Sequence, residues 1–259
     1  MKERWDMSGH SKWSTIKRKK GKMDAQRGKI FTKIIRLITV AARLGGGDPE
    51  SNLRLKAAIQ LAKENNMPSE NIDRAIKRGT GELEGVSYEE VIYEGYGPGG
   101  VAVLIEALTD NKNRTTPEIR KIFSKNGGNL GENGCVSWMF EKRGYFVFDK
   151  EKVDEEKIIE LALEAEAEDV RTDKQNIEVI TLAEKFEAFD HLLKKNKIEP
   201  LVKEITMVPK TSIDLEGKKA IQMLSLMEQL EDQDDVQKVY ANFNIEDKVM
   251  EEISSSRSE

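Results

Sequence analysis

Two histidines, one cysteine and six prolines are spread through 259 residues, and no apolar run is long. The single thiol, Cys135, excludes a disulfide framework within the chain and matches the usage of a reducing compartment, so a cytoplasmic location is expected. With His10 and His191 as the only imidazoles, metal-ligand spacing is absent: there is no H-E-x-x-H and no pair of cysteines. A G-x-S-x-G elbow and a phosphate loop ending in Gly-Lys-Ser/Thr are also missing. These absences disfavour an enzyme, and no cofactor or metal is expected. The most apolar stretch, 101–108, is interrupted by Glu106 and falls far short of the ~20 residues that span a membrane. Residues 1–6 carry Glu3 and Asp6 without the apolar core of a secretory signal, and Met7 offers an alternative start, so they are set aside from the fold.

What is abundant is charge, 34% of residues, and it is unevenly placed. Residues 1–80 hold 19 Lys and Arg against 8 Asp and Glu, an excess of +11, whereas the remainder holds 23 against 39, an excess of −16. Such a split suggests an anionic partner for the N-terminal part, with the acidic remainder repelled from it. Lys12, Lys17, Arg18, Lys19, Lys20 and Lys22 crowd a segment whose sizeable apolar residues are Trp13 and Ile16. It cannot pack a core alone and reads as an arm, residues 1–25, that becomes ordered on an anion; Trp13 either anchors it or stacks on a base.

The period then turns helical. Over 26–44, Ile30, Ile34, Leu37, Ile38 and Ala41 share one face, and Lys29, Lys33, Arg36 and Arg43 fall within a sector of about 80° at 100° per residue, a positive ridge. Gly45 to Gly47 stops this helix, and Asp48 with Pro49 reads as the cap and first turn of a second, with Leu53, Ala57 and Leu61 on its apolar face. Asn65 and Asn66 end that one; Pro68 opens a third bearing Ile72, Ala75 and Ile76, with Arg74, Lys77 and Arg78 as further cations. Residues 26–80 thus form a three-helix domain. Its tight second turn looks like that of a helix-turn-helix reader, but without an Asn or Gln suited to adenine edges the third helix is better placed to contact phosphates.

Beyond residue 81 the pattern alternates strand and helix. Strands over 91–96 and 101–108 flank Gly97-Pro98-Gly99-Gly100; a helix follows over 116–124, with Pro117 in its first turn. A second hairpin is expected from 136–140 and 145–148 around 141–144, then a helix over 150–167, a strand over 177–182, a helix over 184–194 and a strand over 205–208. A final helix over 217–230 and strand over 236–243 would complete the first β-β-α unit. The fold class is therefore α+β with three domains: the helical one, an α/β domain of residues 81–134 plus 207–246, and a second α/β domain, 135–206, inserted in it. Residues 247–259 read as a frayed tail.

Gly95-Tyr96-Gly97-Pro98-Gly99-Gly100 matches the letters of the dinucleotide fingerprint, but a strand follows where that fingerprint needs a helix N-terminus, so the glycines serve a turn and no nucleotide cofactor is expected. The 109–115 loop offers Asn111, Lys112, Asn113 and Arg114 as a secondary contact site, against local capping by Asp110, Asn113 and Thr115. Residues 126–131 read as a helix stop in preference to a ligand loop.

These motifs resemble those of the YebC-type family. The likeness rests on Gly9-His10-Ser11-Lys12-Trp13, Ile16-Lys17-Arg18-Lys19, Asp24, Arg27-Gly28-Lys29 and Phe31-Thr32-Lys33, then Met67-Pro68, Asn71-Ile72 and the run from Arg74 to Gly79. It continues through Tyr93 to Gly100, Thr109 to Thr115, Gly127-Gly128, Leu130-Gly131 and Met207-Val208-Pro209, covering residues 8–245; Cys135 stands where a serine is common. The resemblance implies an all-helical N-terminal domain with two α/β domains, one inserted in the other. It also implies a regulator described in some members as a DNA-binding transcription factor and in others, including the mitochondrial activator of cytochrome c oxidase synthesis, as a factor in translation. A non-enzymatic nucleic-acid-binding regulator is therefore expected, with DNA or RNA, and the ribosome in the translational version, as partner, and a monomer in preference to an oligomer. The rival is an acidic protein-interaction module in which residues 81–259 bind a basic partner and the basic domain merely clamps them internally.

Overall fold

The computed structural model describes residues 23–173 and 175–245, with side chains from residue 28. The basic segment of residues 12–22 and the tail from 246 lie outside the described residues. The chain is α+β and divides into two compact units, one running to Cys135 and resuming over Lys218–Val239, the other formed by Val136–Gly217 and the residues from Tyr240.

In the first unit, α1 (Met23–Gly45), α2 (Leu53–Glu64) and α3 (Ser69–Thr80) build the helical domain. Ile34, Ile38, Ala41 and Ala42 of α1 meet Leu55, Ala58 and Ala62 of α2 and Ile72 and Ala75 of α3 in one apolar cluster. The helices cross closely at Gly79, where a β-carbon would lie 2.5 Å from the Thr39 carbonyl oxygen. The second helix begins at Leu53, not at Pro49. Asp48 instead makes a turn by accepting from the Glu50 amide, and Asn52 caps α2 by accepting from the Leu55 amide while its Nδ2 donates to the carbonyls of Ala41 and Gly46. The expected apolar face of α2 is also reversed. Leu53 is 80% exposed and Leu61 40%, with Ala57 exposed beside them, while the helix buries Leu55, Ala58 and Ala62.

The same unit holds a sheet in the order β3-β1-β2-β9. Strands β1 (Glu89–Tyr96) and β2 (Ala102–Thr109) are antiparallel, with Tyr96 opposite Ala102. Their turn closes through Gly97 N–H to Val101 O, and Gly99 and Gly100 adopt positive φ of 78° and 83°. After β2 comes α4 (Lys112–Lys125), then the short β3 (Asn129–Leu130) beside β1. The segment α7 (Gly217–Asp232) and β9 (Val236–Ala241) returns from the other unit to this sheet, and the Leu108 amide donates to the Asp235 carbonyl. Strand β9 thus joins β2 in one sheet across the intervening 136–217, and the residues from Tyr240 group with that intervening segment.

The inserted unit is a second sheet, β5-β6-β4-β7. Here the expected hairpin is absent. Ser137–Met139 is a 3-10 turn, and β4 (Phe140–Asp149) is one ten-residue strand pairing with both β6 (Asn176–Leu182) and β7 (Val202–Pro209). Gly144 lies within it because a β-carbon there would collide with Thr181 Oγ1 and approach Phe186 to 3.1 Å. Helices α5 (Glu155–Glu164) and α6 (Phe186–Lys195) cover one face, packing Ile158, Leu161, Phe189 and Leu193 on Phe146, Phe148 and Val179. A short β5 (Asp169–Thr172) lines β6, and β8 (Ile213–Asp214) pairs in parallel with β10 (Phe243–Asn244). The domain boundary expected after residue 206 thus falls inside β7, whose alternation does not reveal which sheet it joins.

Candidate nucleic-acid interface

Of the thirteen residues expected to meet nucleic acid, Lys12, Trp13, Lys17, Arg18, Lys19, Lys20 and Lys22 lie outside the described residues. The other six sit on two helices in different circumstances.

Lys29, Lys33 and Arg36 do line one side of α1, as their spacing requires, but they face the C-terminal end of α7. Lys33 Nζ donates to the Glu231 carbonyl at 2.6 Å, and Lys29 Nζ donates to the Asp232 carbonyl at 3.3 Å, with the Asp232 carboxylate at 3.8 Å. Arg36 Nη1 donates to the Asp234 carbonyl and to Asp235 Oδ1, the latter at 2.8 Å, and its guanidinium lies 5.3 Å from the Tyr88 ring centroid. Arg43, the fourth cation of the ridge, donates to Ser87 Oγ and the Tyr88 carbonyl. The ridge therefore exists but is occupied from within the unit.

Asp235 gathers more than Arg36. Its Oδ2 accepts from Thr115 Oγ1 at 2.6 Å and from Arg114 Nη2 at 2.9 Å, while Gln233 Oε1 accepts from the Asp235 amide. Burial pushes this carboxyl up, and hydrogen bonds from Thr115 and Arg114 with the charges of Arg36 and Arg114 outweigh it, leaving the group below its ordinary value of 3.8. Arg114 is held correspondingly further up by hydrogen bonds to Asp235 and Asp110. The secondary loop is likewise spoken for in large part: Asn111 caps α4 by accepting from the Arg114 amide, and Lys112 pairs with Glu89 at 2.6 Å. The helix starts at Lys112, so Pro117 lies in its second turn and the expected loop is mostly its first turn. Asn113 stays exposed. Asp235 belongs to none of the expected site motifs, yet the sequence carries a signal for it. Glu231, Asp232, Asp234 and Asp235 cluster at a helix C-terminus, where the macrodipole disfavours anions unless cations from elsewhere compensate.

On α3, Arg74, Lys77 and Arg78 are all exposed and none forms an ion pair among the described residues. At i, i+3 and i+4 they share one face. A β-carbon at Gly85 would come within 3.2 Å of the Arg78 stem, which lies along Gly85 while the residue stays exposed. The first turn of α3 bears Glu70, with Asp73 behind it.

Elsewhere the chemistry is spare. Among the described residues no group of three or more His, Cys, Asp and Glu could hold a metal ion, and no helix is long and apolar enough to cross a membrane. Burial and nearby Glu94 push the Cys135 thiol up, so it stays protonated at neutral pH.

Comparison with known proteins gives a consistent picture. Residues 11–82 match the family model described as the TACO1/YebC protein N-terminal domain, and residues 88–243 the model of the TACO1/YebC second and third domain. A protein of Syntrophus aciditrophicus named "Probable transcriptional regulatory protein" is 62% identical over 96% of this chain and 100% of its own. One of the same name from Natranaerobius thermophilus is 55% identical over 95% and 99%. The crystal structure of a conserved hypothetical protein from Aquifex aeolicus superimposes with a TM-score of 0.76 at 49% identity, covering 88% of this chain and 94% of that one.

Proposed function

The chain belongs to the TACO1/YebC family, and from that premise we propose that it is a non-enzymatic, nucleic-acid-binding regulator of gene expression, in the first place a DNA-binding transcriptional regulator as its relatives' names describe. The observation that carries this reading is the exposed triad Arg74, Lys77 and Arg78, three cations on one helix face without ion pairs among the described residues. Together with Lys12, Trp13, Lys17 to Lys20 and Lys22 it provides a phosphate-binding surface within the half of the chain that carries the positive excess. Acidic residues 81–259 keep the rest of the molecule off the polyanion.

One observation favours a second reading, binding to structured RNA or the ribosome in translation. A helix-turn-helix reader brings the N-terminal residues of its second helix to base edges, and here that turn presents Ser69 and Glu70 with Asp73 behind, which the flanking phosphates would repel. Lys77 and Arg78 lie in the last turn of α3 with Arg74 one turn before them, suited to a backbone and not to a base pair. Crosslinking the protein to nucleic acid in cells and sequencing the attached fragments tests both readings. Promoter fragments would establish the transcriptional version and ribosomal RNA the translational one. Recovery of neither would overturn the nucleic-acid function.

A further inference from the structure

Helix α7 ends against its own dipole. Glu231 and Asp232 occupy the last turn, where orphan carbonyls already carry partial negative charge, and Asp234 and Asp235 follow at once. The three cations at i, i+4 and i+7 of α1 lie against this acidic end. Lys29 meets the carbonyl and carboxylate of Asp232, Lys33 the carbonyl of Glu231, and Arg36 the carbonyl of Asp234 and the carboxylate of Asp235. The contact is graded in depth. The Arg36 and Asp235 side chains are 11% and 1% exposed, whereas those of Lys29 and Asp232 are 47% and 54% exposed. A solvated pair of that kind is weak and is screened by salt; the buried one is not easily exchanged.

We propose that the acidic end of α7, residues 231–235, is an internal competitor seated on the phosphate-binding row of α1, which a nucleic-acid backbone must displace from Lys29 and Lys33 while Arg36 and Asp235 stay paired as the hinge. The proposal rests on the nucleic-acid reading given above. Oxygen atoms ranged along one side of a helix present to the lysines what successive phosphates would present. A lone phosphate replaces one contact of the set and gains little. A continuous backbone already held by the arm and by α3 delivers several phosphates at high local concentration and replaces both lysine contacts together. The device would make the α1 row open to long polyanions and closed to small ones.

The full-length chain can be tested by titrating a labelled DNA duplex and a labelled oligouridylate at several salt concentrations, for the unaltered protein, for Asp232→Asn and for Glu156→Gln, which removes the same charge from α5. Amide hydrogen exchange over 229–235 is followed with and without the bound probe. Competition predicts that Asp232→Asn binds about threefold more tightly, that Glu156→Gln does not, and that amides 229–235 lose protection when the probe is bound. Unchanged affinity in Asp232→Asn together with unchanged protection, in a protein that binds either probe, overturns the competitor and leaves the nucleic-acid reading standing. Failure of every form of the chain to bind either probe overturns the nucleic-acid reading itself and the competitor with it.

Discussion

At the residue scale, Asp235 holds the first unit together through partners from three elements: Arg36 of α1, and Arg114 and Thr115 of α4, while its own backbone carbonyl receives Leu108 N–H of β2. Asp235→Ala would leave Arg36, whose side chain is largely buried, without its carboxylate, an arrangement that costs about 3 kcal/mol or more when one partner of a buried pair is deleted. A fall of that size in unfolding free energy should appear in urea titration. The pH dependence has a definite sign. Because the folded Asp235 is held below its ordinary value of 3.8, its contribution is fully present above that value and is lost as the pH falls through the lower folded one. The stability advantage of the unaltered protein over Asp235→Asn should therefore be greatest near neutrality and shrink on acidification below about pH 4. An advantage that grew in acid would contradict the assignment.

At the element scale, α2 shows both how far a periodic pattern reaches and where it stops. The stops at Gly45 to Gly47 and at Asn65 and the start at Pro68 lie where the sequence puts them because they act locally, whereas the cap of α2 moves from Asp48 to Asn52. Its buried face was not so fixed. Leu53, Ala57 and Leu61 form one row at i, i+4 and i+8, and Leu55, Ala58 and Ala62 a second, less bulky one; size favours the first, but α1 and α3 pack on the second. Small residues win there because they let the helices approach, as Gly79 does against Thr39. Leu55→Ala should accordingly cost about 2–5 kcal/mol, and Leu53→Ala less than about 0.5 kcal/mol, by chemical denaturation. In β4 the misleading signal was Gly144, which has the composition of a turn and the function of a close packing point. Gly144→Ala should destabilise the protein by about 1–3 kcal/mol through the clash with Thr181 and Phe186. Strands β3 and β5, two and four residues long, carry too little pattern to be seen in sequence at all.

At the scale of the whole molecule, the charge split was plain in the sequence, but its division into free and engaged cations was not. Lys29, Lys33, Arg36 and Arg43 carry the same letters as Arg74, Lys77 and Arg78, and their partners lie up to 203 residues away. The cations of α1 are engaged within the unit, whereas those of α3 form no ion pair among the described residues. This division makes salt dependence informative. Each phosphate neutralised contributes about 0.7 to 0.9 to the slope of log affinity against log salt, so the combined change of Arg74, Lys77 and Arg78 to Ala should flatten the slope by about two, and the change of Lys17 to Lys20 to Ala by a comparable amount. Arg43→Ala, which removes a cation donating to Ser87 and Tyr88, should leave the slope as it is. Lysine-rich contacts carry little sequence information, so affinity should differ little among duplexes of unrelated sequence. A steep preference for one duplex, surviving replacement of Arg74, Lys77 and Arg78, would move the reading surface away from α3 and to a part of the chain whose chemistry points elsewhere.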